Sequence, residues 1–180
     1  LKANPDLILA HESQKSTAGD VLKSLSKSGV KVVYVKDAQS INETYDTFKT
    51  IGKITGREHQ AQDLVDETKK NVDKVVNSVP KHHKKQSIFM EVSSKPDIYT
   101  AGKGTFFDDM LNQLDAKNNF SDINGWKSVS KESIIKHNPD ILISTEAIGV
   151  RHFCYDNNVK MRSGMELHRI KFYTLLKLKY

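Results

Sequence analysis

Residues 135–144 read IKHNPDILIS and residues 1–10 read LKANPDLILA, so Asn138-Pro139-Asp140 repeats Asn4-Pro5-Asp6 at a spacing of 134. In each copy an apolar helical end runs into Asn-Pro-Asp, and four small or branched apolar residues follow. Proline disfavours the α region for the residue before it, so the pattern is a helix stop feeding a buried strand. A solenoid repeats every 20–50 residues or so. Two copies this far apart point instead to two lobes of similar build.

The text between the copies agrees. After the first strand, about 6–10, a polar loop runs from His11 to Thr17, and Val21, Leu22 and Leu25 line one face of a short helix stopped by Gly29. Val30 to Val35 reads as a strand. Ser40 and Glu43 form a capping box before the stripe Ile41, Tyr45, Phe48 and Ile51. A β-α-β-α order predicts a parallel sheet. Thr55 and Glu58 read as a second capping box, followed by Ala61, Leu64, Val65, Thr68, Val72, Val75, Val76 and Val79 in helical register up to Pro80. This helix, over 57–79, is about 34 Å long at 1.5 Å per residue, enough to bridge two lobes. Beyond it come a basic loop over Pro80–Gln86, a strand over Ser87–Val92 and a turn-rich segment over Ser93–Gly104. Thr105 and Asp108 cap a helix with the stripe Phe107, Met110, Leu111 and Leu114, and Ser130 caps a shorter one. The expected organisation is 1–56, a first lobe; 57–79, a linking helix; 80–146, a second lobe; and 147–180, a basic tail of different character.

A chain of 180 residues with 37% hydrophobic and 8% aromatic residues is long enough for one large or two small domains. It has no apolar run long enough for a membrane-spanning helix. The net charge is +6, but residues 147–180 hold seven of the 28 basic residues and two of the 22 acidic ones. The remaining 21 basic and 20 acidic residues make the body nearly neutral, which argues against a phosphate-binding stripe and hence against nucleic acid as a partner. Cys154 is the single cysteine, so no internal disulfide forms, and the redox compartment stays open. The chain opens on Leu1 inside a helix-to-strand unit, without an initiator Met or signal segment; an upstream part is expected to be missing.

In open α/β sheets, ligands bind outside the carboxyl ends of the strands. That rule selects His11, Glu12 and Ser13 after the first strand, Lys36 and Asp37 after the second, Glu91 and Ser93 to Lys95 after the third, and Thr145 and Glu146 after the last. Tyr99, Lys103 and Trp126 are expected in loops that reach the same region. Ala101-Gly102-Lys103-Gly104-Thr105 is not a phosphate loop, because Asp97 stands where the first glycine is needed and Gly104 where a hydroxyl is needed after lysine. His82-His83 among lysines lacks the spacing and partners of a zinc site. No Ser-His-Asp, HExxH or Cys-Cys pattern is present, so no enzyme of those types is indicated.

Taken in order, LKANPDLILA, DVLKSLSKSGVKVVYV, TFKTIGKITGREHQAQDLV, YTAGKGTFFDDML and GWKSVSKESIIKHNPDILIS resemble the class III substrate-binding proteins of ABC importers. The resemblance covers about residues 1–146. It implies an α/β fold of two Rossmann-like lobes with parallel sheets joined by one long backbone helix, a ligand held between lobes, and no enzymatic activity. The implied ligand is a ferric siderophore, haem or cobalamin, carried as cargo with no resident cofactor. The implied partner is an ABC permease, and the implied form a monomeric extracytoplasmic lipoprotein whose anchoring cysteine lies upstream. Carried over by position, the ligand-binding set is His11, Glu12, Lys36, Glu91, Tyr99, Lys103, Trp126 and Glu146. The permease-docking acid is Glu12 or Asp20, since the loop after the first strand is about two residues longer than in its relatives. The tail from about Ala147 does not resemble the family's ending; if it is a replaced terminus, the second sheet is left with an unpaired edge.

Two other readings compete. A receptor for a bare Zn or Mn ion needs three or four convergent ligands, for which His11, Glu91 and Glu146 are the only set. A fragment of a cytosolic α/β enzyme lacks a catalytic constellation.

Overall fold

The computed structural model describes residues 4–80, 84–93, 96–145 and 174–177. The chain divides into two compact units, Leu1–Lys74 and Val75–Tyr180.

In the first unit the first strand follows the logic of the opening motif. Asn4 takes a left-handed conformation, φ +37°, which turns the chain into β1 (Leu7–His11). A one-turn helix α1 (Gln14–Thr17) and then α2 (Gly19–Lys27) return it to β2 (Lys31–Val35). Leu22 is the buried residue of α2, Leu25 is half-buried, and Val21 stands 63% exposed; the predicted stripe is therefore narrower than three residues. β1 and β2 are parallel, with Leu7 opposite Lys31 and His11 opposite Val35.

α3 (Ile41–Thr55) starts where the sequence places it. Ser40 Oγ accepts the Glu43 N–H at 3.1 Å, and Glu43 Oε2 accepts the Gln39 N–H at 2.9 Å. The second predicted box does not form. Thr55 lies within α3 and its hydroxyl donates back to the Ile51 carbonyl at 2.8 Å. Gly56, with φ +66°, ends α3, and α4 (Glu58–Ser78) begins two residues later. At 21 residues α4 is about 31 Å long. Its first turns pack on α3 through Gly52, where an added Cβ would lie 2.4 Å from Ala61 Cβ. Lys69 Nζ sits 5.3 Å from the ring centroid of buried Tyr45. The helix runs past Lys74, from the first unit into the second.

The second unit is a mixed sheet in the order β6-β4-β3-β7-β8, with β5 beside β3. Its centre is the parallel pair β3 (Ser87–Ser93) and β7 (Ile141–Ser144), in register from Ile88↔Ile141 to Glu91↔Ser144. β5 (Lys117–Asn118) is also parallel to β3. β4 (Ile98–Ala101) and β6 (Trp126–Val129) add antiparallel strands on one side, so the segments read as turn and loop around Tyr99 and Trp126 are strands. β8 (Thr174–Lys177) pairs antiparallel with β7, so that edge of β7 is paired, not open. The remaining calls on 147–180 lie outside the described residues.

Side chains alternate across the pleat, and the two faces of this sheet carry two cores. Phe89 and Leu142 on one face pack with Phe120 and with Ile134 of α6 (Lys131–His137). Ile88, Met90 and Ile143 on the other pack with Ala101 and with Phe107 and Leu111 of α5 (Phe106–Gln113). Asn138 ends α6 in the left-handed conformation, φ +45°, and Asp140 Oδ2 accepts the Ser87 N–H at 2.8 Å. Both Asn-Pro-Asp copies thus do the same work: a left-handed Asn, then a strand in a parallel pair. The φ > 0 conformation is one that Asn tolerates better than most residues.

Candidate functional site

The carboxyl ends of β1 and β2 place His11, Glu12, Ser13, Lys36 and Asp37 together. The Glu12 N–H donates to the Val35 carbonyl at 3.0 Å, extending the ladder by one bond. His11 Nδ1 lies 2.5 Å from Asp37 Oδ1, and the Ser13 N–H donates to Asp37 Oδ2 at 2.9 Å. The hydrogen bond from His11, with that from the Ser13 backbone, holds the Asp37 carboxyl below its ordinary value. Fixing Nδ1 in this way leaves Nε2 as the atom that His11 offers outward, on a side chain 71% exposed. Glu12 pairs with Lys15 at 2.9 Å, and Lys36 with Glu43 at 3.3 Å. Asp20 is exposed in the first turn of α2. Asp37, two residues beyond the strand, is the organising group of this loop, and only its position after β2 marks it in the sequence.

In the second unit, Tyr99 and Trp126 share one face of the β4–β6 pair. Ala101 stands opposite Trp126, and Tyr99 is two residues from Ala101, so the two rings are diagonal neighbours, a spacing aromatic side chains can span. Both are nearly half exposed, at 42% and 46%, while Ala101 is fully buried. Lys103 follows, exposed, in a segment zipped to residues 123–125: Gly102 N–H to Gly125 O at 2.8 Å, Lys103 N–H to Ile123 O at 2.7 Å and Gly125 N–H to Lys103 O at 3.0 Å. Glu91 is different. It is 2% exposed on the opposite face from Ala101 and Met90, and the Ser144 hydroxyl donates to its Oε1 at 2.7 Å. Glu146 lies outside the described residues, as do Lys95, His82 and His83. Among the described residues no three His, Cys, Asp or Glu gather as for a metal ion, and no helix is long and apolar enough to cross a membrane.

Comparison with known families decides what this scaffold is: the model described as periplasmic binding protein matches residues 1–162. The chain belongs to that family. The match runs past Glu146, where the resemblance read from the sequence stops, to residue 162. Among curated relatives, the chain is 41% identical over 151 residues to the uncharacterized ABC transporter substrate-binding lipoprotein YvrC of Bacillus subtilis (strain 168), covering 82% of this chain and 48% of that one. Among solved structures, it is 79% identical to a possible iron-binding (periplasmic solute-binding) protein of Staphylococcus epidermidis ATCC 12228, with a TM-score of 0.72, covering 81% of this chain and 57% of that one. The apo periplasmic heme-binding protein RhuT of Roseiflexus sp. RS-1 shares the fold at 18% identity, with a TM-score of 0.73 over 84% of this chain and 57% of that one. The chain thus spans about half the length of the curated relative and somewhat more of the solved ones.

Proposed function

We propose that this chain is part of an extracytoplasmic receptor that captures an iron complex, a ferric siderophore or haem, and hands it unchanged to an ABC permease. The kinship to a substrate-binding lipoprotein and to a possible iron-binding protein supports the class of function and the location. The observation that carries the ligand reading is the pair Tyr99 and Trp126, half exposed on one face of β4–β6 beside the cationic Lys103. Exposed rings offer stacking surface to a planar or conjugated group, and an ammonium group attracts an anionic chelate. In the first unit, His11, with Nδ1 engaged by Asp37, leaves Nε2 outward, a nitrogen of the kind that ligates iron. Glu91, buried beneath its bond from Ser144, supports the strand end. Glu12 or Asp20 is the acid offered to the permease.

Trp126 is the only tryptophan, which makes its emission a local probe. Titration with hemin, a ferric tricatecholate, a ferric hydroxamate and cyanocobalamin, read by absorbance and Trp126 quenching, is expected to give saturable binding to one of the iron complexes. No saturable signal from any of the three iron complexes, with or without one from cyanocobalamin, sinks the proposal. Metal analysis after dialysis tests the bare-ion alternative, which predicts about one equivalent of Zn or Mn.

A further inference from the structure

Asp108 is almost fully buried at the start of α5, and both of its carboxyl oxygens are used by loops. Oδ2 accepts the Gly104 N–H at 3.0 Å, and Oδ1 accepts Asn118 Nδ2 at 3.0 Å. The same Asn118 amide donates to the Ala101 carbonyl at 2.9 Å, and Asn118 Oδ1 accepts the Phe120 N–H at 3.1 Å. Thr105, fully buried, donates from Oγ1 to the Gly102 carbonyl at 2.9 Å. Every residue from Ala101 to Thr105 is thereby tied down, either by Asp108, Asn118 and Thr105 or by the backbone bonds to Ile123 and Gly125. Trp126 follows Gly125 directly. The network is much more than a helix cap, because its far end fixes the strand end that faces Trp126.

We infer that Asp108 and Asn118 are positioning residues that set affinity for the anionic iron complex by holding Lys103 and Trp126 in one fixed arrangement. The inference rests on the proposed contact of those two side chains with ligand. Neither Asp108 nor Asn118 touches the ligand: they act through the clasp formed by residues 101–105 and 123–126. Preorganisation removes the ordering cost that a mobile lysine and a mobile indole pay on binding. Donor geometry makes the claim sharp. Asp108 faces two N–H donors, so the isosteric Asp108→Asn directs an amide N–H₂ at one of them and breaks the clasp without changing its volume.

Asp108→Asn is expected to weaken binding of hemin or the ferric tricatecholate, whichever the wild type binds, about tenfold. It should also raise acrylamide quenching of Trp126 in the free protein. Asn118→Asp, which sets a carboxyl group against Asp108 and the Ala101 carbonyl, behaves the same way. The double swap Asp108→Asn with Asn118→Asp restores a donor-acceptor pair between the two side chains but leaves the Ala101 carbonyl facing a carboxylate, so it recovers part of the losses and not all of them. In a Lys103→Ala background, Asp108→Asn costs clearly less affinity than in the wild type, a coupling that a purely structural role does not produce. The urea midpoint is recorded for each variant. Wild-type binding with unchanged affinity in Asp108→Asn, or an equal loss with and without Lys103, overturns the positioning role alone. Failure of the wild type to bind either probe overturns the affinity claim, and failure to bind the ferric hydroxamate as well overturns the functional reading with it.

Discussion

His11 Nδ1 and Asp37 Oδ1 approach to 2.5 Å, joining the residue that ends β1 to the loop just beyond β2. Asp37 also accepts the Ser13 N–H, so one carboxylate closes the end of the parallel pair. Its carboxyl is held low mainly by His11 and then by Ser13. Glu43 is held low by the Gln39 N–H and then by Lys36. A carboxyl with a depressed folded value stabilises the fold above its unfolded value, about 3.9 for Asp, and that contribution is lost as pH falls through the folded value. The wild type is therefore expected to lose stability steadily as pH drops from about 5 to well below 3.9. Asp37→Asn should start less stable at pH 7 and lose less across the same window. Urea midpoints at pH 7, 5 and 3 check this; parallel curves for the two proteins refute the role given to Asp37.

Two candidate capping boxes look alike in the sequence and differ in the structure. Ser40 caps α3, whereas Thr55 sits inside the last turn of the same helix and bonds back to Ile51. Ser40→Ala is expected to cost about 0.5–2 kcal/mol, and Thr55→Ala to stay within about 0.5 kcal/mol of neutral. Chemical denaturation followed by circular dichroism separates them, and equal costs contradict the assignment. Local pattern shows that a helix starts near residue 58. It misses how Gly56 provides the break, because the left-handed turn also depends on Gly52 packing against Ala61.

Gly102 and Gly19 make a contrasting pair. A Cβ on Gly102 would lie 2.4 Å from the Ile123 carbonyl oxygen, and main chain cannot swing away as a side-chain tip can. Gly102→Ala is expected to destabilise by about 1–3 kcal/mol through overpacking and to shift Trp126 emission, since Gly102 is bonded to Gly125. At Gly19, the first residue of α2, a Cβ meets nothing within 4 Å. Gly19→Ala is expected to stabilise by about 0.4–1 kcal/mol through the unfolded chain. Thermal melts of both, with emission spectra of Gly102→Ala, decide the matter; a Gly102→Ala protein as stable as the wild type removes the clasp's steric basis.

The legible parts of this molecule are those written in neighbouring residues. The strand entries after Asn4 and Asn138, the existence of α4 and the caps at Ser40, Thr105 and Ser130 all follow from spacings of a few positions, although Leu64 and Val75 of the predicted α4 stripe stand exposed. β4 and β6 escape because each has four residues, and β6 exposes Trp126, Lys127 and Ser128 in succession, so no apolar alternation marks it. The clasp escapes for a different reason. Asn118 reaches Ala101 across 17 positions and Asp108 across 10, and nothing in the local text links them; Asp108 by itself reads as a cap and nothing more.

Glu91 gives the sharpest test of how far position alone predicts a ligand contact. It lies near the carboxyl end of β3, where α/β sheets bind ligands. Yet it is 2% exposed and receives the Ser144 hydroxyl at 2.7 Å across the parallel β3–β7 pair. A group so placed joins two strands. Removing it leaves Ser144 buried with a lost acceptor, at a cost of about 1–3 kcal/mol. Glu91→Ala is therefore expected to lower the urea midpoint while leaving the affinity of the folded fraction for hemin or the ferric chelate within about threefold. Tyr99→Ala and Trp126→Ala should do the reverse, weakening binding with little change in midpoint, because both rings are nearly half exposed. If Glu91→Ala instead abolishes binding in a protein of normal stability, the carboxylate reaches the ligand and the division between supporting and contacting residues drawn from burial is wrong.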